Sequence, residues 1–193
     1  MVLCGDTIKS YIAKGQLVRC EGVVYDPKQE RDVNAKDYVL SKVGPDNLDV
    51  RLGHGFKQID TSRLGYLEVS GKYDYRLMPE LDGGGIFLHP GEFCLATSDE
   101  YLLLPDDVMA MVDSRSSIGR MGLVIQTAAF IHAGFEGRIT LELKNEAPVP
   151  ILLRPYDTVG QLIFMKLDKS TSAPYAGVYQ GQSTTTSPDM SKS

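Results

Sequence analysis

The sequence has no tryptophan and only three cysteines and three histidines among 193 residues. Cys4, Cys20 and Cys94 are odd in number, far apart and without a CxxC pair or a nearby histidine, so neither a disulfide framework nor a zinc cluster is indicated. All three are expected to be reduced and buried. No apolar run approaches the roughly 18 residues of a membrane helix. No charged-then-apolar N-terminal stretch reads as a secretion signal, so the expected compartment is the cytoplasm, without a membrane partner. Positive charge is not in excess: 20 Lys and Arg against 25 Asp and Glu leave a net charge of -5. That balance argues against a nucleic-acid partner, which normally meets a basic stripe. A polyanionic ligand must instead be held by a few local cations.

What is present reads as one domain over residues 1–193, with a core to about residue 172 and a flexible lid or tail from 173 onward, 42% hydrophobic and long enough to bury a single core. Asp6 is the expected N-cap of a short helix whose Ile8, Tyr11 and Ile12 share a face, with Gly15 at its C-terminal end. Residues 21–46 are polar and turn-rich, with Pro27, Gly44 and Pro45, and predict a mobile surface excursion between strands. Leu48, Val50 and Leu52 then alternate with Asp49 and Arg51 in the strand LDVRLG, and KQID and YLEV are further strand candidates. From Gly83 to Val112, short β-type runs are punctuated by Pro90-Gly91, Ser98-Asp99 and Pro105-Asp106, a rhythm suited to an all-β barrel or jelly roll. Pro148 and Pro150 limit ladder pairing at a strand entrance, and two more strands flank a turn at Arg154-Pro155. The final QSTTTSPDMSKS has almost no large apolar group and is expected to be flexible unless a ligand or neighbouring chain orders it.

The richest chemistry lies in SRSSIGRMGLVIQTAAFIHAGFEGRITLELKN, residues 114–145. Arg115, Ser116, Ser117 and Arg120 put two guanidinium forks and two hydroxyls within six positions. A turn or short helix beginning at Ser116 would add free backbone N–H groups, a set suited to a di- or triphosphate. Neither GxxxxGK[ST] nor GxGxxG is present, so this is neither a Walker A loop nor a dinucleotide fingerprint. The alternative is that both arginines are surface residues paired with local carboxylates. In GRITLEL, alternation turns Ile139, Leu141 and Leu143 to one face and Thr140 and Glu142 to the other. Glu142 is then either a site carboxylate or a solvated partner of Arg138 or Lys144. His132, in the apolar FIHAGF, is either a structural histidine or a proton carrier. The HxE and PCxxC pattern of zinc deaminases is absent.

Taken in order, RSSIGRMGL, QTAAFIHAGFEGRITLELKN, RPYDTVGQLIF and PY followed by YQGQ resemble the dCTP deaminase family, itself related to the trimeric dUTPases. NLDVRLG and the opening VLCGDTIKSYIAKGQL match as well, leaving only residues 21–46 and 54–80 outside the resemblance. It implies a mainly β, distorted barrel or jelly-roll-like fold of the dUTPase type with a short N-terminal helix, assembled as a homotrimer with sites between subunits. It also implies zinc-independent hydrolytic deamination of dCTP to dUTP and ammonia, serving pyrimidine deoxynucleotide supply. By position, Arg115, Ser116, Ser117 and Arg120 would grip the triphosphate. With Glu142, the proton shuttle, and the Ala128 carbonyl, which holds the attacking water, Ser116 and Arg120 would form the reacting centre. Thr140, Leu141, Gln161, Tyr175 and Gln182 would contact nucleotide, and the C-terminal segment would close over it. Magnesium would arrive on the triphosphate; no protein metal site and no zinc are implied. The chain departs from the family at His132, where an aspartate is customary and where the imidazole is left to meet the sugar hydroxyl. It departs again at Val178, often a lysine, and at Ser183, customarily glycine. The missing aspartate counts against a dUTPase or a bifunctional deaminase and dUTP diphosphatase, which stand as alternatives together with a deaminase for a modified dCTP; His132 and Val178 keep open a catalytically silent nucleotide-binding trimer.

Overall fold

The computed structural model describes residues 1–69, 71–126 and 130–186. The chain begins with α1 (Gly5–Ala13), β1 (Leu17–Val18), β2 (Val23–Asp26), β3 (Arg31–Asn34), α2 (Ala35–Ser41), β4 (Leu48–Arg51), β5 (Lys57–Ile59) and β6 (Tyr75–Leu77). It continues through β7 (Ile86–Leu88), β8 (Phe93–Leu103), β9 (Val108–Ser114), α3 (Ser116–Gly119) and β10 (Leu123–Gln126). The last elements are β11 (Phe130–Ile131), β12 (Glu136–Asn145), β13 (Ile151–Leu153) and β14 (Thr158–Lys166). The molecule is mainly β. One sheet runs β10-β12-β8-β5-β6 with β1 attached to β8, and another runs β11-β9-β14-β4. Two two-stranded sheets, β13-β7 and the β2-β3 hairpin, stand apart from them. An isolated antiparallel bridge, Leu52 to Ser98, joins the two principal sheets. The expected barrel therefore takes the form of two bridged sheets, with no closed strand circuit among the described residues.

Alternation explains the core. On β12, Gly137, Ile139, Leu141, Leu143 and Asn145 are buried while Glu136, Arg138, Thr140, Glu142 and Lys144 are partly exposed. Leu141 and Leu143 meet Leu48, Val50, Leu102, Leu162 and Phe164 in one continuous core in which all seven are fully buried. Each such side chain contributes about 1.5–3 kcal/mol of transfer free energy. Helix α1 lays Ile8 and Ile12 into the same core.

Several expectations are revised. Cys4, not Asp6, caps α1: its backbone is extended and its carbonyl accepts from Ile8 N–H at 2.9 Å. Asp6 sits in the first turn, where its charge suits the positive end of the helix. Gly15 does follow the helix in the left-handed region, at φ 75°. Residues 21–46 carry the β2–β3 hairpin and α2 rather than a loose excursion. Asn34 caps α2 by accepting from Asp37 N–H at 3.1 Å. The YLEV segment, residues 66–69, forms no strand; β5 takes β6 as its partner instead, leaving Tyr66 and Val69 exposed. Cys4 is exposed and Cys20 half-buried, so only Cys94 fits the buried expectation. In the C-terminal segment, Thr185 is buried and donates to Gly55 O at 2.6 Å while Lys57 Nζ donates to Thr185 O at 2.8 Å. Among the described residues no helix is long and apolar enough to cross a membrane.

Candidate active site

The outward face of β12 opens onto a cavity of about 410 Å³. Leu95, Val112, Phe135 and Ile139 make its apolar wall, while Thr140, Glu142, His132, Tyr175, Tyr179, Gln182 and Thr186 bring polar groups to it. Glu142 lies in register with Gln126 of β10 and Leu95 of β8, so neither adjoining strand offers a cation. Both charged neighbours on its own strand are engaged elsewhere. Lys144 pairs with Glu146 at 2.6 Å, and Arg138 turns to Asp99 at 3.4 Å and to Ser98 O at 3.0 Å. Among the described residues the Glu142 carboxylate has no ion pair or hydrogen bond, its backbone alone joining the β12 ladder. Its charge is felt by Tyr75 on β6, whose phenol pKa is raised first by burial and then by this carboxylate.

The mouth of the cavity is built by the chain that follows β11 and by residues 175–186. His132 is exposed and stacks on Tyr175, ring centroids 5.9 Å apart and planes within 9°. Phe135 meets the same tyrosine edge-on at 5.6 Å, and Tyr175 N–H donates to Ala133 O at 2.9 Å. Gln182 is held by β12: Arg138 N–H donates to its carbonyl at 2.8 Å, and its own amide donates back to Arg138 O. Thr186 bonds Gln182 Oε1 at 2.6 Å and shares a hydroxyl contact with Thr140 at 3.1 Å. The tail thus lies across the wall that carries Glu142.

A second cluster gathers around α3. The helix does begin at Ser116, with Arg115 as N-cap and its N–H bonded to Val159 O at 3.1 Å. The first N–H groups of such a turn have no partner inside the helix. Ser116, Ser117 and Arg120 are exposed, and Arg120 makes no ion pair among the described residues. Arg115 pairs with Asp49 at 3.4 Å. Gln161, on β14, accepts from Asn47 Nδ2 at 3.2 Å.

The predicted residues therefore separate into two groups. Thr140, Glu142, His132, Tyr175 and Gln182 share the cavity; Arg115, Ser116, Ser117, Arg120 and Gln161 are not among the described residues that line it. Leu141 faces the core with no exposed surface, as strand alternation requires, so any contact it makes with a ligand runs through its backbone. Ala128 lies outside the described residues. Tyr75, Tyr179 and Thr186 were not singled out from sequence, because a lone tyrosine or threonine carries no periodic or motif signal. Among the described residues no three His, Cys, Asp or Glu side chains converge to hold a metal ion.

The profile of the dCTP deaminase-like family matches residues 21–167. A protein named dCTP deaminase, dUMP-forming, from Sulfurihydrogenibium sp. is 37% identical over 188 residues, covering 96% of this chain and 95% of its own. Another of that name, from Methanobrevibacter smithii, is 35% identical over 179 residues, covering 90% and 84%. Among solved structures, the 2'-deoxycytidine 5'-triphosphate deaminase of Agrobacterium tumefaciens aligns with a TM-score of 0.59 at 22% identity, over 84% of this chain and 47% of that one. The present chain spans about half of that protein, and the likeness is one of fold.

Proposed function

Because the chain belongs to the dCTP deaminase-like family, we propose that it is an enzyme that hydrolyses the 4-amino group of dCTP, giving dUTP and ammonia. The observation that carries this reading is Glu142, a carboxylate with no ion pair or hydrogen bond among the described residues, on the wall of an otherwise largely apolar cavity. Water with a pKa of ~15.7 is a poor nucleophile without zinc, so position and a base must compensate. Glu142 takes a proton from water as oxygen bonds to C4 and delivers it to N3. Glu142, again ionised, takes the proton of the new C4 hydroxyl and passes it to the exocyclic nitrogen; collapse of the tetrahedral centre then breaks the C4–N bond, leaving C4=O and releasing ammonia. Gln182 and the His132–Tyr175 stack frame base and sugar, and the tail excludes bulk water.

The cations that such a substrate needs are on the other cluster. Arg115, Ser116, Ser117, Arg120 and Gln161 supply a triphosphate grip, and a neighbouring copy placing that grip at the mouth of the cavity completes one site. The homotrimer implied by the sequence resemblance accounts for this division. Magnesium comes bound to the triphosphate, neutralising charge rather than generating the nucleophile. The substrate is a free cytoplasmic nucleotide.

A second reading, dUMP formation, is favoured by the names of the relatives. Against it, Glu142 is the sole carboxylate among the described residues that line the cavity, and by the sequence resemblance His132 stands where an aspartate is customary. Incubation with Mg-dCTP, with nucleotides resolved by chromatography and ammonia assayed, separates the outcomes. Accumulating dUTP supports deamination alone; dUMP with pyrophosphate supports the second reading. Bound but unchanged dCTP would leave a silent nucleotide-binding protein and defeat both.

A further inference from the structure

The segment Asn47-Leu48-Asp49 touches the phosphate-gripping cluster twice. Period-2 alternation sends Leu48 wholly into the core and leaves Asn47 and Asp49 on the opposite face. From there Asn47 Nδ2 donates to Gln161 Oε1 at 3.2 Å, and Asp49 Oδ2 lies 3.4 Å from an Arg115 guanidinium nitrogen. Asp49 and Gln161 are direct cross-strand partners on β4 and β14, with Asp113 of β9 on the other side of Gln161. Asn47 is itself tightly located. Its carbonyl accepts from Gly44 N–H at 2.9 Å, and a Cβ on Gly44 would come within 2.5 Å of its side-chain oxygen.

We propose that Asn47 and Asp49 are positioning residues that pre-aim Gln161 and Arg115 at the substrate's phosphates. This rests on the phosphate role given to Arg115 and Gln161 above. An amide whose oxygen is already engaged presents its NH₂ as the free end, so Asn47 turns Gln161 into a donor toward an anion. A guanidinium held at one nitrogen keeps its remaining donors free in a fixed plane. The Asp49–Arg115 pair is too exposed, at 25% and 40%, to add much to stability, so its consequence is orientation. Asp49 also sets a cost: beside a triphosphate, an uncommitted carboxylate would repel it, and pairing with Arg115 neutralises that repulsion.

The test is steady-state kinetics on the full-length protein with Mg-dCTP. Asp49→Asn, which keeps the shape of the side chain, and Asn47→Ala each raise KM about tenfold while kcat changes less than about twofold. Asp49→Glu restores most of the loss. Combined with Arg115→Ala, Asp49→Asn adds no further loss and recovers part of it, because the carboxylate left unpaired no longer repels the phosphates, a non-additivity that a merely structural effect would not produce. A lower KM in Asp49→Asn would overturn the proposal, since it would make the carboxylate a competitor of phosphate. Additive effects would overturn it as well. The single variant Arg115→Ala separates the two levels: an unchanged KM there removes the phosphate reading and the brace together, whereas a raised KM with Asp49→Asn indifferent removes the brace alone.

Discussion

At the scale of single residues, chemistry follows from what surrounds each group. Alternation in GRITLEL sufficed to turn Glu142 away from Leu141 and Leu143. It could not show that Arg138 and Lys144 look elsewhere, because the Asp99 that engages Arg138 comes from a distant part of the sequence. With no cation paired to its carboxylate among the described residues, Glu142→Gln is expected to bind Mg-dCTP with an affinity within a few-fold of the parent while kcat falls at least ~100-fold, the usual scale for a lost general base. Equilibrium binding and single-turnover rates check the two halves separately, and near-normal turnover would assign the proton transfer to another group. The cysteines give a pH-dependent counterpart. Hydrogen bonding from the Thr7 hydroxyl, then from its amide, lowers the Cys4 thiol pKa, so its thiolate fraction at any pH below that value exceeds an ordinary cysteine's. Burial pushes Cys94 up to about 12, so it stays protonated across the neutral and mildly alkaline range. Iodoacetamide at pH 8 should therefore label Cys4 first and Cys94 only on unfolding, as peptide mapping by mass spectrometry would show.

At the scale of elements, the largest departure from the sequence reading is residues 21–46, and its cause lies outside that segment. Arg51 continues the alternating LDVRLG strand yet is only 2% exposed. Its Nε pairs with Glu100 at 2.9 Å, a second nitrogen pairs with Asp99, and its guanidinium lies 4.4 Å from the Tyr38 ring centroid. A further donor reaches Tyr25 O at 3.3 Å. Thus β2 and α2 are the cover over a buried charge cluster, which polar composition alone had suggested was a loop. One local signal was available, since Asn34 followed three residues later by Asp37 is a helix-start spacing. Burial alone would lower the Arg51 pKa, and Glu100 and Asp99 outweigh it and leave it raised. Arg51→Met removes one partner and strands Glu100 in the interior, so unfolding free energy is expected to fall by about 3–5 kcal/mol. Urea denaturation followed by tyrosine fluorescence measures it; a loss below about 1 kcal/mol would mean that the cover, not the ion pair, carries the stability.

At the scale of the whole molecule, ordered motifs were enough to read the family and the mainly β class, but they could not reveal that the motif residues fall into two places. Neighbours in sequence order, RSSIGR and GRITLEL, end on an exposed turn and on a cavity wall respectively, and no one-dimensional pattern encodes which copy of the chain each faces. The consequence is testable with two inactive proteins. Glu142→Gln lacks the carboxylate half and Arg120→Ala the cationic half. If each site draws one half from each of two subunits, co-refolding the variants in equal amounts assembles some sites in which both halves are intact. Random assortment gives about one quarter of sites in that state, so activity should return to about 25% of the parent level. If both halves came from one chain, every site would carry a defect from its own subunit and mixing would restore nothing. Recovery near one quarter, rising from zero only after subunits are allowed to exchange, would therefore establish that the reaction belongs to the assembly rather than to the single chain.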